Sequence, residues 1–478
     1  MDLPYWIHED CFIFKADFNG SIKDYLDIIK QHNKLIFSNY NDLENFIEEI
    51  ENQYCKCLFI SIFNKQLSDS LDQLINLTHL TFGFSFNKPL SNSLSNSLDK
   101  LINLKHLTFG KSFDKPLANS LDQLINLKYL TFGHDFNQPL ANSLDQLINL
   151  TLITFGHDFN QPLANSLDQL INLTQLTFGS SFNKPLANSL DQLINLTQLT
   201  FGHDFAQPLG NSLDKLINLS LISFGYHFGK PLTNSLDNLK NLTQITFNAF
   251  FCQPLGNSLN NLIKLTHLTF GRYFNVQLTN SLDKLINLTH LTFGYQFNVQ
   301  LGNSLDKLIN LTHLTFGYHF NVQLGNSLDK LINLTHINFG WVFNQSLSNT
   351  LFYLTKLEHL SLGYEFNQEL NLPSNIKILT LNCNNQNLID NLPNSIEQLN
   401  LSCRFNLQLD NLPTSIKKIS YYNPYYNNLM DYCNKDYNNP YYNNPLNNLP
   451  KSLEQLELRK SYKLEIKNIP PNCKIIYL

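Results

Sequence analysis

A phrase of 23 residues, Leu-Thr-x-Leu-Thr-Phe-Gly-x-x-Phe-Asn-x-Pro-Leu-x-Asn-Ser-Leu-Asp-x-Leu-Ile-Asn, recurs through most of this chain. Its Phe-Gly phenylalanine falls at Phe109, Phe132, Phe155 and onward to Phe339, each 23 residues after the last. A constant period in this range specifies a solenoid. One unit cannot bury its apolar face alone, so it stacks on its neighbours and the core grows in one dimension. The 478 residues therefore read as one array with an N-terminal piece rather than as several globular domains.

The unit that begins at Leu288 shows how a coil closes. Leu288, Leu291 and Phe293 stand at positions 1, 4 and 6, resembling the Leu-x-x-Leu-x-Leu strand of a leucine-rich repeat. Positions 4 and 6 face the core, while His290 and Thr292, at 3 and 5, alternate to the solvent face of a parallel sheet with one strand per coil. Gly294 ends the strand at position 7, where a side chain would hinder the turn. Phe297 and Leu301 turn inward again, and Asn298 is placed for an asparagine ladder bonded to the backbone of successive coils. Over Asn303 to Asn310, Ser304 suits an N-cap, Asp306 suits the positive end of a helix dipole, and Leu305 and Leu308 share a face. The expected fold is an α/β solenoid: a curved, leucine-rich-repeat-like array with a parallel sheet on the concave face and short helices or 3₁₀ turns on the convex one.

The cores Phe86-Asn87-Lys88-Pro89-Leu90, Phe136-Asn137-Gln138-Pro139-Leu140 and Phe159-Asn160-Gln161-Pro162-Leu163 are similar to FNIP repeats, a leucine-rich-repeat-like family of large DNA viruses and amoebal protists. The resemblance covers nearly everything after residue 53. Phe205-Ala206 and Phe228-Gly229 depart from it, and the ladder should break there. Leu372-Pro373, Leu392-Pro393, Leu412-Pro413 and Leu449-Pro450 fit it too, each preceding a strand such as Ile396 to Leu401. The resemblance implies a protein-interaction role.

Residues 1–53 lack the repeat, and Ser21 to Lys34 and Asn41 to Gln53 read as two amphipathic helices forming a small helical cap. Leu3-Pro4 resembles the opening of an F-box, so the alternative is a ubiquitin-ligase substrate receptor. Thirteen coils are expected over 54–356, with a four-residue insertion at Asn92 to Ser95. Over 357–478 the period falls to 19 or 20 and a Leu-Pro segment replaces the convex turn, which should flatten the curvature. A Tyr/Asn/Pro-rich insert at 422–448 interrupts this part, either as a binding loop or as a slippage insert.

A formal charge of −5 offers no footprint for nucleic acid or an anionic membrane. The N-terminus lacks a secretory pattern, so a cytoplasmic location is expected, in the host cytoplasm for a viral protein. Cys55 and Cys57 fall on the first expected strand, and Cys383 and Cys403 lie one coil apart; free thiols fit a reducing compartment. The Asn-Leu-Thr triplets, as at Asn149 and Asn310, match a glycosylation acceptor formally, but the Asn belongs to the coil corner, where it satisfies turn backbone. The Asp row, as at Asp122, Asp145 and Asp168, stands in one repeated role, with no differentiated partner of the kind catalysis needs.

Function is sought in the departures from the repeat. At position 3 the chain carries His267, His290, His313, His336 and His359, and at position 8 of the same coils Arg272, Tyr295, Tyr318, Trp341 and Tyr364. These are the candidate partner-binding residues, since aromatic side chains anchor protein interfaces. The identity of the row also fits recent duplication, because Phe-Asn-Val-Gln-Leu marks three of the same coils. Stacked imidazoles without carboxylates make a poor metal shell, so neither metal nor cofactor is expected there. If the row binds a partner, affinity should change near the ordinary His pKa of about 6.5. The function expected is a non-enzymatic scaffold that binds a protein through its concave face.

Overall fold

The computed structural model describes residues 3–41, 43, 44, 46, 47, 61–91, 96–347, 350–401, 407–421, 446, 448–458, 460, 462, 464 and 466–477. The chain forms two compact units, Met1–Asn248 and Ala249–Leu478.

In the first unit β1 (Tyr5–His8) pairs antiparallel with β2 (Cys11–Phe14), and β2 runs parallel to β3 (Lys34–Phe37). β3 lies directly beside β4 (His79–Thr81), in the register Lys34↔His79. From there three-residue parallel strands follow one per coil to β11 (Gln244–Thr246). The second unit continues the pattern from β12 (His267–Thr269) to β21 (Lys474–Tyr477). The leucine-rich-repeat-like solenoid is therefore the fold, with one strand per coil.

The N-terminal segment differs from two helices. Of Ser21 to Lys34 only Ile22–Tyr25 is 3₁₀ and Leu26–Ile29 α-helical, and Lys34 already opens β3. The reason is legible in the rings. Phe14 stacks on Phe18 at 3.8 Å and Phe37 on Phe63 at 4.4 Å, as Phe293 stacks on Phe297 at 3.9 Å. Phe14, Phe18 and Asn19 thus hold positions 6, 10 and 11 of a degenerate coil, and Lys34–Phe37 is the strand of the next, whose Phe63 follows after an insertion. Leu43, Glu44, Phe46 and Ile47 are helical and Asn41 is a bend; the remainder of the expected second helix, with Cys55, Cys57, Cys403 and most of 422–448, lies outside the described residues, as does Asn92 to Ser95. Cys383 is a buried free thiol.

Two phenylalanine spines fill each unit. Phe293 meets Phe316 at 5.7 Å, Phe297 meets Phe320 at 6.0 Å, and Phe109 and Phe113 repeat the arrangement in the first unit at 6.0 and 6.1 Å. The segment opposite the sheet is a chain of tight turns, not a helix: the N–H groups of Ser304, Asp306, Leu308 and Leu311 donate to the carbonyls of Leu301, Asn303, Leu305 and Leu308. Leu305, Leu308 and Leu311 are all buried and fall three apart, a spacing that a 3₁₀-like path keeps on one line and an α-helix would not. Ser304 accordingly is not an exposed N-cap. It is buried, and its N–H closes the first turn.

The expected polar ladders form. Asn275 Oδ1 accepts from Asn298 N–H, Asn298 Oδ1 from Asn321 N–H and Asn321 Oδ1 from Asn344 N–H, each at 2.9 Å. In the first unit Asn183 Oδ1 accepts from Ala206 N–H at 3.0 Å, and Ala206 has no polar side chain to extend the series. The corner asparagines reach back one coil: Asn149 Nδ2 donates to the Ile125 carbonyl and Asn310 Nδ2 to that of Ile286, both at 2.8 Å. That Nδ2 is the atom a glycan would occupy. Gly294 is needed for close stacking rather than for a special turn, because a Cβ there would fall on the carbonyl oxygen of Gly271. No helix among the described residues is long and apolar enough to cross a membrane.

Candidate functional site

The strands of the second unit place the position-3 histidines in direct register: His267↔His290, His290↔His313, His313↔His336 and His336↔His359. Their rings stack at 4.2, 4.2, 4.0 and 3.8 Å, within 18° of parallel. The preceding threonine fixes the tautomer of the three central rings, His290, His313 and His336. Thr289, Thr312 and Thr335 Oγ1 donate their single proton to the carbonyls of Thr266, Thr289 and Thr312 at 3.0 Å. The same oxygens lie 2.9, 2.9 and 2.8 Å from Nδ1 of His290, His313 and His336, so Nδ1 carries the proton and Nε2 is left as an acceptor.

Burial, followed by the charge of neighbouring rings, holds His290 and His336 down to about 4 and lowers His313. Burial lowers His359 as well, against the opposing pull of Glu358. The rings of His290, His313, His336 and His359 are neutral at neutral pH, and the titration expected near 6.5 moves to more acidic pH for these four. A charge on one ring would be poorly solvated and would repel a charge on the next.

The position-8 row forms a second ladder. The Arg272 guanidinium lies 4.9 Å from the Tyr295 ring, Tyr295 stacks on Tyr318 at 4.6 Å, Tyr318 on Trp341 at 5.8 Å and Trp341 on Tyr364 at 4.7 Å. His319 stands edge-on to both Tyr295 and Tyr318, with centroids 4.9 Å apart in each case. The two ladders run side by side. Positions 3 and 8 are five residues apart along the chain, at most about 18 Å if extended, and the Leu291, Thr292, Phe293 and Gly294 rows lie between.

Four further features escape a reading confined to those rows. The first unit has its own short position-3 ladder, His79 on His106 at 3.9 Å and His106 on Tyr129 at 4.3 Å, with His79 pushed down to about 4, chiefly by burial. A half-exposed isoleucine row at position 22 includes Ile125, Ile148 and Ile171 in one unit and Ile286 and Ile309 in the other. The tetrapeptide Gly-His-Asp-Phe at residues 133–136, 156–159 and 202–205 sets His-Asp pairs at positions 8 and 9 of the first unit. That recurring tetrapeptide is the available signal in the sequence. In the short coils a groove of about 720 Å³ is lined by Thr335, Glu358, Lys377, Glu397 and Lys417. Its charges pair with each other, Lys377 with Glu358 at 2.6 Å and Lys417 with Glu397 at 2.8 Å.

No family model matches the chain, and no curated protein matches it. Solved structures do. The chain is similar to CroV588, described as a novel circular LRR protein, at 25% identity and a TM-score of 0.61, over 99% of this chain and 77% of that one. It is also similar to an LRR protein of Leptospira interrogans, at 18% identity and a TM-score of 0.51, over 76% and 93%. TLR13 in a complex with ssRNA13 aligns at 16% identity and a TM-score of 0.57, over 94% and 74%. These likenesses agree with the leucine-rich-repeat fold built from the residues above.

Proposed function

We propose that the protein is a non-enzymatic interaction scaffold of the FNIP-repeat kind, and that it holds a protein partner against the outward, concave face of the sheet between His267 and Tyr364. The observation that carries this reading is the pair of stacked ladders. Imidazole and aromatic rings locked against their neighbours lose little further freedom on binding, and aromatic anchors dominate interface energetics. The neutral Nε2 acceptors would meet amide or hydroxyl donors of the partner, and the Tyr and Trp rings would supply apolar area with a polar handle. The Asp row of Asp122, Asp145 and Asp168 stands in one repeated role, without the unequal acid and base that hydrolytic chemistry needs.

The test is affinity capture from a lysate of the native host by the wild-type chain and by a variant with His290, His313 and Tyr318 replaced together by alanine. A partner captured by the wild type should be lost from the variant, and any loss of retention that comes from His290 and His336 should appear only as pH falls towards about 4. Unchanged capture by the triple variant removes this face from consideration.

A further inference from the structure

Positions 8 and 9 of the first unit change from coil to coil, reading His134-Asp135, His157-Asp158, Ser180-Ser181, His203-Asp204 and Tyr226-His227. Two places there gather three ligand-type side chains whose donor atoms all lie within 4.8 Å of one another: His134, His157 and Asp158, and His203, Asp204 and His227. The two are built differently. His134 and His157 are stacked in parallel, 4.4 Å apart at 3°, so their in-plane lone pairs run side by side. Each is also held by its own following carboxylate, at 2.7 and 2.6 Å. His203 and His227 cross at 75° with centroids 4.6 Å apart, and their Nδ1 atoms meet one oxygen, Asp204 Oδ1, at 2.6 and 3.3 Å.

We propose that His203, Asp204 and His227 form a binding site for a divalent transition-metal ion of the Zn²⁺ class, held by the two Nδ1 atoms and Asp204 Oδ1 with water completing the shell. Mixed imidazole and carboxylate donors suit zinc, copper or nickel, whereas calcium and magnesium take all-oxygen shells. Donors around a tetrahedral ion with bonds of 2.0–2.2 Å are about 3.3 Å apart. The His227 to Asp204 distance already has that value, and the His203 to Asp204 pair opens by about 0.7 Å as the ion replaces the proton between them. The charge balance is simple. A neutral ring keeps one proton, which moves from Nδ1 to Nε2, and a protonated ring releases its second proton to water.

The frame is rigid where it needs to be. His227 N–H donates to the His203 carbonyl at 2.8 Å, Asp204 N–H donates to that of Ser180 at 2.7 Å, and Tyr226 lies flat on the His203 ring at 4.6 Å and 6°. All three ligand side chains are nearly half exposed, so the ion has a path in. The cluster at His134 has one ring to rotate and Lys111 one coil away at the same position, and it binds more weakly. This site is independent of the partner-binding face proposed above.

The experiment titrates the full chain with Zn²⁺ against a chromophoric chelator and records Cu²⁺ electron paramagnetic resonance. The wild type takes up a tight ion. His203→Ala with His227→Ala weakens it by more than the roughly 10–100-fold that outer-shell losses cost. His134→Ala with His157→Ala leaves it in place, and metal-free melting curves of both variants match the wild type. The Cu²⁺ spectrum shows two coupled nitrogens, reduced to one by His227→Ala. The proposal is overturned if the wild type does not compete with the chelator, or if the tight ion departs with His134 and His157. It is also overturned if the ion survives both pairs of substitutions, as it would if held by His290 and His313.

Discussion

The coils that carry His203-Asp204 and Tyr226-His227 in the first unit, and those that carry Tyr295-Gln296 and Tyr318-His319 in the second, have the same backbone and different surfaces. His227 N–H donates to the His203 carbonyl at 2.8 Å, and His319 N–H to that of Tyr295 at 2.9 Å. Phe205 and Phe297 close the same turn onto Gly202 and Gly294. Above this common frame one unit presents two imidazoles around a carboxylate and the other an aromatic ladder with Arg272 at its head. The inward positions decide whether coils stack, and the outward ones are left to vary. Chemistry can therefore change from coil to coil without touching the core.

The comparison breaks first at an inward position. Phe159 and Phe297 are both fully buried between like rings, and replacing either by alanine should cost about 3–5 kcal/mol, with equal effects in the two units. Gly156→Ala and Gly317→Ala should cost about 3 kcal/mol, the upper end of ordinary overpacking, because the new Cβ would meet the backbone of the preceding coil at Gly133 and Gly294, which cannot swing aside. Denaturant midpoints of the four variants measure this. A much smaller loss in one unit would mean that the frames are not equivalent.

Acid should separate the units next. Unfolded histidine titrates near 6.5, whereas His290 and His336 are held down to about 4 and His313 and His359 are lowered. Above the unfolded value both states are neutral and this contribution is complete. As pH falls from 6.5 towards 4 the unfolded chain binds protons that the folded ladder refuses, so stability is lost across that window. The first unit has only His79 and His106 in this condition among its described residues. Replacing His290 and His336 by glutamine should flatten the pH dependence of the denaturant midpoint between pH 7 and 5, and should do so more than replacing His79 and His106. A smaller effect is expected at position 15, where Ala164 and Gly302 share a left-handed φ of 46° and 53°. Space around Gly302 is open, so only the torsion matters: Ala164→Gly should stabilise by about 1 kcal/mol and Gly302→Ala should cost the same.

The inward rows are legible in the sequence because they repeat. The Leu and Phe ladder, the strand register His290↔His313 and the Asn298 ladder all follow from the 23-residue period. The turns opposite the sheet are less so, since Ser304 and Asp306 suit a helix start and only the three-residue spacing of Leu305, Leu308 and Leu311 argues for 3₁₀-like turns. An insertion hides the first coils: Phe37 and Phe63 share a coil but stand 26 residues apart, so no fixed period connects them. The histidine ladder is legible as a row. The neutrality of His290 is not, because that depends on burial and on the neighbouring rings, and its tautomer on the Thr289 hydroxyl, which only the folded strand brings to Nδ1. The crossing of His203 and His227 is equally out of reach, because the two occupy different positions of successive coils.

The smallest change to stability should give the sharpest comparison. Gly317-Tyr318-His319 in the second unit already matches Gly225-Tyr226-His227 in the first, and only Tyr295-Gln296 differs from His203-Asp204. Tyr295→His with Gln296→Asp should therefore build the same three-ligand cluster in the second unit, on a backbone bonded in the same way. Both are outward positions, so the denaturant midpoint should move by no more than about 0.5 kcal/mol. The chelator titration should then show one additional ion, removed again by His319→Ala. A grafted pair that leaves the fold intact but takes up no metal would show that the coil frame alone does not orient the ligands. The flat contact of Tyr226 on His203 would then be the missing part, because Tyr318 is also committed to Trp341 on its other face.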